Sequence, residues 1–377
     1  MKHRIILALA ATGIITATAF SLYGVESKAA DSLAGGGETM VADVPGVSAA
    51  TLNAEIGKLF DEEEMSETRA LVIVREGEII AERYAPGYDR DTRFISWSMA
   101  KSVTAVLVGL MVADGRLALD APAPVPDWKR PGDPRGAITL RHLLHMSSGL
   151  QHTEAGDPPY ESDEVRMLFL DGRDDMVRYA ASQPLEAEPG AKFEYSTNTT
   201  VILADIITRQ LTDSTDPEVR RRAMLDYMRG RLFEPLGITS MVPEFDAAGT
   251  MIGGSIIQAN ARDWAKFGEF LRNKGSIGGN QFLTRGWVDF MLTSSPNDPA
   301  YGGHIWLSKP RPAGRRTILY PDLLPADVFA AQGHLGQFVI VSPSQRLTMV
   351  RLGKTQADEL DQVREQLGRI AALFPRR

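Results

Sequence analysis

The sequence predicts an α+β sandwich: one antiparallel sheet flanked by helices, built from both chain ends, with a mostly helical block inserted between them. Three observations lead there. Strand-like runs occur at Ala70–Tyr84 and again after residue 300, and helical periodicity dominates the stretch between. An almost wholly apolar helix starts at Ser98 and continues through Val103, Val106, Leu107, Leu110 and Met111, as a helix inside a core would. The last segment, Asp358–Phe374, repeats apolar residues at helical spacing (Leu360, Val363, Leu367, Ile370) and closes the fold.

In chain order, residues 1–30 read as an export signal or an N-terminal anchor. Lys2, His3 and Arg4 precede an uncharged run from Ile5 to Tyr23, and Ser27-Lys28-Ala29 offers small residues for cleavage. The run approaches the length of a bilayer span, so an uncleaved anchor is the alternative. Residues 31–50, rich in Gly and Ala, read as a flexible spacer. Thr51–Phe60 has the pattern of a short amphipathic helix, and Arg69–Tyr84 that of a hairpin turning at Glu76-Gly77. A proline-rich stretch from Ala121 to Gly136 marks the passage into the helical block. There, helices are expected over Leu140–Met146, Asp174–Ser182, Thr200–Gln210, Glu218–Phe233, Ala261–Lys274 and Arg285–Leu292. Strands follow at Gly303–Leu307, Val328–Gln332, Gln337–Val341 and Leu347–Leu352. The expected division is a sheet region of residues 51–126 and 296–377 around a helical region of residues 127–295.

The bulk properties exclude whole classes. The 377 residues are 44% hydrophobic and 24% charged, ordinary for a globular enzyme, with a net charge of −7 and no long basic run, so nucleic acid is not an expected partner. The absence of cysteine removes disulfides, thiol catalysis, cysteine metal sites and a lipid-anchored leader together. The folded body is expected outside the cytoplasm, periplasmic or secreted, touching a membrane only through the leader.

Chemistry concentrates at Ser98 and Lys101, one helical turn apart and so on one face. A lysine at the start of a buried helix must be paired or lose its proton. An amine made basic by burial can activate a neighbouring hydroxyl as nucleophile. Ser98 in the first turn also adds its backbone N–H to the unpaired donors there, where the dipole favours developing negative charge. Two further segments are candidates: Pro189–Thr199, a turn into a helix presenting Tyr195, Ser196 and Asn198, and the glycine-punctuated Ala331–Val341, where Gly336 would admit a close approach.

These segments resemble the serine β-lactamase and penicillin-binding-protein superfamily, in its class C-like branch of esterases, D-peptidases and β-lactamases, and most of all the 6-aminohexanoate-dimer hydrolase type. Ser98-Met-Ala-Lys101 matches the first motif and Tyr195-Ser-Thr-Asn198 the tyrosine motif. His334-Leu-Gly336 stands where many members have Lys-Thr-Gly. Thr139–Leu150, Phe233–Ile238, Ile252–Ser255, Ala261–Gly268 and Tyr301–Trp306 match in the family's order, from about Leu71 to the C-terminus. Two departures stand out: Thr197, where many members have asparagine, and His334 in place of lysine.

The resemblance implies a β-lactamase/transpeptidase-like fold and a covalent acyl-enzyme on Ser98, with no cofactor and no metal. Lys101 and Tyr195 would move protons, with Tyr195 a base held ionised by Lys101. The backbone N–H groups of Ser98 and Gln337 would form the oxyanion hole, worth roughly 3 kcal/mol per donor. Asn198, His334 and Gly336 would bind substrate, a small carboxylic ester or amide, including ω-amino-acid oligomers. A neutral histidine in the third motif holds a carboxylate less firmly than lysine, which favours this reading over the alternative, a β-lactamase or D-Ala-D-Ala peptidase. A non-catalytic binding protein of the same fold is the second alternative.

Blander roles compete for the same residues. Asn198 could cap its helix, Tyr195 could be a packed aromatic, and His334 a solvent-facing strand residue. His142, His145 and His152 invite a zinc site, but leucine-rich surroundings and the lack of a His-Glu-x-x-His pattern assign them core or surface roles.

Overall fold

The hairpin Glu67–Arg75/Glu78–Tyr84 turns on Glu76 and Gly77, both with positive φ (56° and 92°), the two-residue turn whose twist matches paired strands. Val72 and Val74 are buried on one face of this hairpin, Leu71 and Ile73 on the other, so the sheet is covered on both sides. A computed structural model of the chain describes residues 39–311 and 323–376. In it the hairpin lies within a seven-stranded antiparallel sheet. Its order is Thr39–Val41, Glu78–Tyr84, Glu67–Arg75, Leu347–Lys354, Gln337–Ser342, Phe329–Gly333, Trp306–Leu307. The two chain ends meet where Leu347–Lys354 pairs with Glu67–Arg75. An α+β sandwich built from both ends is therefore what the chain forms.

One face is covered by the helices Ala49–Leu59 and Leu360–Ala372, which bury Leu52, Ile56, Val363, Leu367 and Ile370 against it. Helix Ala261–Arg272 covers the other. A Cβ at its Gly268 would come within 2.6 Å of Thr348 and 2.8 Å of Val339. Helix Ala100–Ala113 runs through the same core, with every residue from Ala100 to Met111 buried. At its Gly109 the Trp287 indole fills the space of a side chain: a Cβ there would lie 2.3 Å from the indole nitrogen. That N–H donates to the Ala105 carbonyl at 3.1 Å.

Three expectations change. The spacer assigned to residues 31–50 is structured from residue 39 on: Thr39–Val41 pairs with Ala81–Arg83, and Ser48 caps the helix that starts at Ala49. An edge strand needs only main-chain donors and acceptors, so a Gly- and Ala-rich composition does not announce it. The helical region of residues 127–295 does not stand apart, because its helix Ala261–Arg272 packs on the sheet and its strand Ile257–Ala259 pairs with Phe94–Ile95. The described residues form one compact unit. Finally, Asp163–Phe169 is a helix that sequence periodicity passed over, started by Ser162, whose hydroxyl accepts the Val165 N–H. The leader at residues 1–30 and the spacer as far as residue 38 lie outside the described residues.

Candidate active site

Ser98 sits in a single 3-10 turn, Trp97–Met99, immediately before the buried helix. Trp97 has φ +45°, a conformation that costs a non-glycine residue energy and marks a backbone held by its surroundings. Lys101, one turn on, is 1% exposed. Its amine lies 2.8 Å from Ser98 Oγ, 2.7 Å from Thr197 Oγ1 and 2.9 Å from the Gly254 carbonyl. Gly254 is a close approach, since a Cβ on it would sit 2.8 Å from the Thr197 methyl. The Ile252–Ser255 stretch thereby supplies a backbone acceptor to the lysine.

Helix Thr197–Leu211 presents the second motif. Ser196 is its N-cap, taking the Thr199 N–H at 3.3 Å, and its hydroxyl also meets His152 Nδ1 at 3.0 Å. Tyr195, just before the cap, stacks on Trp306 (5.4 Å) and meets Tyr301 edge-on (5.8 Å). The Lys101 amine stands 4.8 Å from the Tyr195 ring centre, and the Ser98 hydroxyl is near enough to the phenol to act on its proton affinity. Hydroxyl, amine and phenol thus converge from the two helix starts.

The charges are set by burial. Burial lowers the Lys101 pKa, opposed by the carboxylates of Glu154 and Glu164. It pushes Tyr195 well above 10; Glu154 and Glu164 push it further, and the nearby Ser98 hydroxyl acts against them. The phenol therefore rests neutral, which corrects the expectation of a phenolate held by Lys101. The contacts of Lys101 suit a neutral amine. The Gly254 carbonyl can only accept. Thr197 spends its own proton on Glu154 (2.7 Å), so it too accepts from the lysine. Ser98 Oγ is then free to donate to the remaining lone pair.

Sequence reading missed the two carboxylates. Glu154 takes the Thr197 N–H at 2.6 Å as well as its hydroxyl, and one of its oxygens is 3.8 Å from the Lys101 amine. Glu164, from the unexpected helix, is 3.4 Å from the same hydroxyl and is pushed up to about 7 by burial and by Glu154. The signal that could have found them was the acidic residues of His152–Glu164, lying between two matched motifs.

The binding residues fare differently. Asn198 is fully buried beside Thr197, and neither its amide nitrogen nor its oxygen has a partner; it neither caps the helix nor joins the site. A substitution of one position along a helix rotates a side chain by about 100°, so Thr197 takes the place facing the lysine. Gly336 (φ +78°) lies in the turn beyond Phe329–Gly333. A Cβ there would meet the Arg351 guanidinium at 2.7 Å, so its space serves a buried arginine and not a substrate. Gly333 makes the close approach to the nucleophile instead: a Cβ on it would be 2.2 Å from the Ser96 carbonyl and 3.1 Å from Trp97 Cβ. His334 is exposed and meets Trp97 edge-on at 5.2 Å, with its pKa lowered by partial burial. The Gln337 side chain turns behind the turn, donating to the carbonyls of His334, Leu335 and Gly353.

The remaining histidines pack. His142 shares a capping box with Thr139, His145 stacks on Phe290 (4.9 Å), and His152 also reaches the Ala180 carbonyl. His304 joins Thr200 Oγ1 and the Leu144 carbonyl, both at 2.9 Å, while its own carbonyl takes the Ser102 hydroxyl. Among the described residues no group of three His, Asp or Glu side chains is placed to hold a metal ion. A cavity of about 380 Å³ opens over Tyr195, with Glu154, Phe193 and Arg311 in its wall.

The β-lactamase family profile matches residues 60–373. The chain belongs to the β-lactamase family. It is 24% identical over 239 residues to 6-aminohexanoate-dimer hydrolase of Paenarthrobacter ureafaciens, covering 61% of this chain and 58% of that one. It is 33% identical over 174 residues to esterase EstB of Burkholderia gladioli, covering 40% and 43%. The matches thus span about half the length of these curated relatives. A Bacillus anthracis structure assigned as a 6-aminohexanoate-dimer hydrolase superposes with a TM-score of 0.66 at 21% identity, over 84% of this chain and 81% of that one. That likeness establishes the β-lactamase-like fold.

Proposed function

We propose that this β-lactamase-family chain hydrolyses a carboxylic ester or simple amide through an acyl-enzyme on Ser98. The observation that carries the reading is the contact of the buried Lys101 amine with Ser98 Oγ at 2.8 Å, with both groups beside the Tyr195 phenol. Lys101 as an amine takes the Ser98 proton as the oxygen attacks the carbonyl, and the neutral Tyr195 phenol protonates the departing alcohol or amine. Water then attacks the ester formed on Ser98, with the same groups working in reverse. The Ser98 N–H is one oxyanion donor. For the second, the approach of Gly333 to Ser96 and Trp97 supports the next peptide, the His334 N–H, over that of Gln337.

The substrate is a small ester or amide, and linear ω-amino-acid amides are candidates through the likeness to the Paenarthrobacter enzyme. The strand beside the nucleophile carries Ala331, Gln332 and Gly333, with no lysine to grip a carboxylate, which favours esters and amides over β-lactams. Export to the periplasm or beyond, carried by residues 1–30, belongs to the same proposal.

Fluorophosphonate labelling and a panel of p-nitrophenyl esters, ω-amino-acid dimers, D-amino-acid amides and nitrocefin test it. Wild-type protein is expected to label on Ser98 and turn over an ester or amide, and folded Ser98→Ala to do neither. Turnover retained in Ser98→Ala would sink the mechanism. Nitrocefin as the preferred substrate would shift the reading to a β-lactamase, and no adduct to a binding protein.

A further inference from the structure

We propose that Glu154 and Glu164 are positioning residues of the catalytic base: a carboxylate pair that, through the Thr197 hydroxyl, fixes both the orientation and the proton affinity of Lys101. The proposal rests on Lys101 being the base at Ser98 and adds to that reading the groups that set its strength.

An unbroken chain of contacts carries it. Ser98 Oγ, the Lys101 amine, Thr197 Oγ1 and Glu154 Oε1 are linked by steps of 2.8, 2.7 and 2.7 Å, and the last group faces the cavity. Thr197 has a single proton, and two carboxylates lie within 3.4 Å of its oxygen. Glu154 also holds the Thr197 N–H, so the threonine is fixed at backbone and side chain by one carboxylate. An amine with two protons and one lone pair is oriented by its acceptors. Because Thr197 gives its proton to a carboxylate, it accepts from Lys101 and turns the lone pair toward Ser98.

The pair also acts through space. A carboxylate within about 4–6 Å of an amine favours the ammonium, and desolvation of a buried amine opposes it. Burial lowers the proton affinity of Lys101, and the carboxylate pair acts against that lowering. Glu164, whose burial and neighbour place it near neutrality, adds or withdraws one charge as the pH changes.

The charged and titratable surroundings are few. Lys101 faces the pair from its helix and Tyr195 from the start of the next. In the cavity wall Glu194 is held by Lys192 (2.9 Å) and Arg311 by Asp298 (2.6 Å). His152, two residues from Glu154, is occupied by Ser196 and the Ala180 carbonyl. His304 is tied to Thr200 and the Leu144 carbonyl, and Tyr301 lies against Tyr195.

The test is the pH profile of kcat/KM for p-nitrophenyl acetate with the full chain. Both carboxylates hold the proton on Lys101, so neutralising either makes the amine available at lower pH. In Glu154→Gln and Glu164→Gln the acidic limb is expected to move down by about one pH unit, the size of shift an adjacent charge produces. Thr197→Val, which cuts the hydroxyl link and keeps both carboxylates, is expected to lower kcat, and Thr197→Ser to restore it. A purely structural role would lower the rate at every pH without moving the limb. An unmoved limb in the folded glutamine variants, or in Glu164→Gln alone should the other fail to fold, overturns the proposal. Failure of the wild-type chain to label with fluorophosphonate would overturn the reading of the site instead.

Discussion

Two of the basic side chains buried among the described residues have opposite surroundings. Lys101, 1% exposed, is ringed by groups that exchange or share protons: the hydroxyls of Ser98 and Thr197, the Tyr195 phenol and two carboxylates. Arg351, 0% exposed, meets only neutral oxygens. Its guanidinium donates to the carbonyls of Gly336 (2.8 Å) and Glu67 (2.9 Å) and to the hydroxyls of Thr68 and Thr355. Burial lowers its pKa to about 9, which still leaves it charged at neutral pH. Space for it is cleared by Gly336 and by Gly353, at the bulge in Leu347–Lys354. One cation is placed where its charge can change during a reaction, the other where it never does.

The sharpest break in that comparison is Lys101→Arg. A guanidinium keeps its proton, so it cannot take one from Ser98, and the expected loss in kcat for a p-nitrophenyl ester is about 10⁴-fold or more. Fluorophosphonate labelling should slow in parallel, and a variant within tenfold of wild type would show that Lys101 is not the base. Arg351→Met reads the other side. It strands several acceptors in the interior while removing a costly buried charge, and the expected net loss is about 2 kcal/mol of stability. Urea unfolding measures it, and the folded variant should keep kcat within about threefold, a margin small against the loss expected at Lys101. A larger catalytic loss would give Arg351 a part in the chemistry.

The smallest effect concerns a base that stays uncharged. Burial lowers the His304 pKa to about 3, so below its ordinary value of about 6.5 the unfolded chain takes up a proton that the fold refuses. Stability therefore falls as the pH drops through that window, by about 1.4 kcal/mol per pH unit for each such group. His145, lowered to about 4, contributes over the upper part of the same range. His304→Gln should flatten the dependence between pH 7 and 5.5, read from urea midpoints at both values. An unchanged slope would place the acid sensitivity elsewhere.

The sequence was readable wherever one element carried two signals at once. Ser98 and Lys101 share a helical turn, and the apolar run after them shows that the turn is buried. The hairpin declares itself by β-branched runs on either side of Glu76-Gly77. What stayed hidden depends on convergence between elements. Glu154 and Glu164 come from a loop and a short helix whose proximity to Lys101 is set by the packing of other segments. Asn198 and Gly336 were chosen by residue type. Thr197 and Gly333 were chosen by the geometry of the backbone that carries them.

The indole of Trp287 seated at Gly109 has a consequence far from the chemistry. It notches the shaft that bears the nucleophile, so that helix can neither slide nor rotate without expelling a bulky ring. A methyl group added at this notch meets the ring, so either the indole or the helix that follows Ser98 has to shift, and loss of turnover in such a folded variant would report misalignment with every reacting group intact.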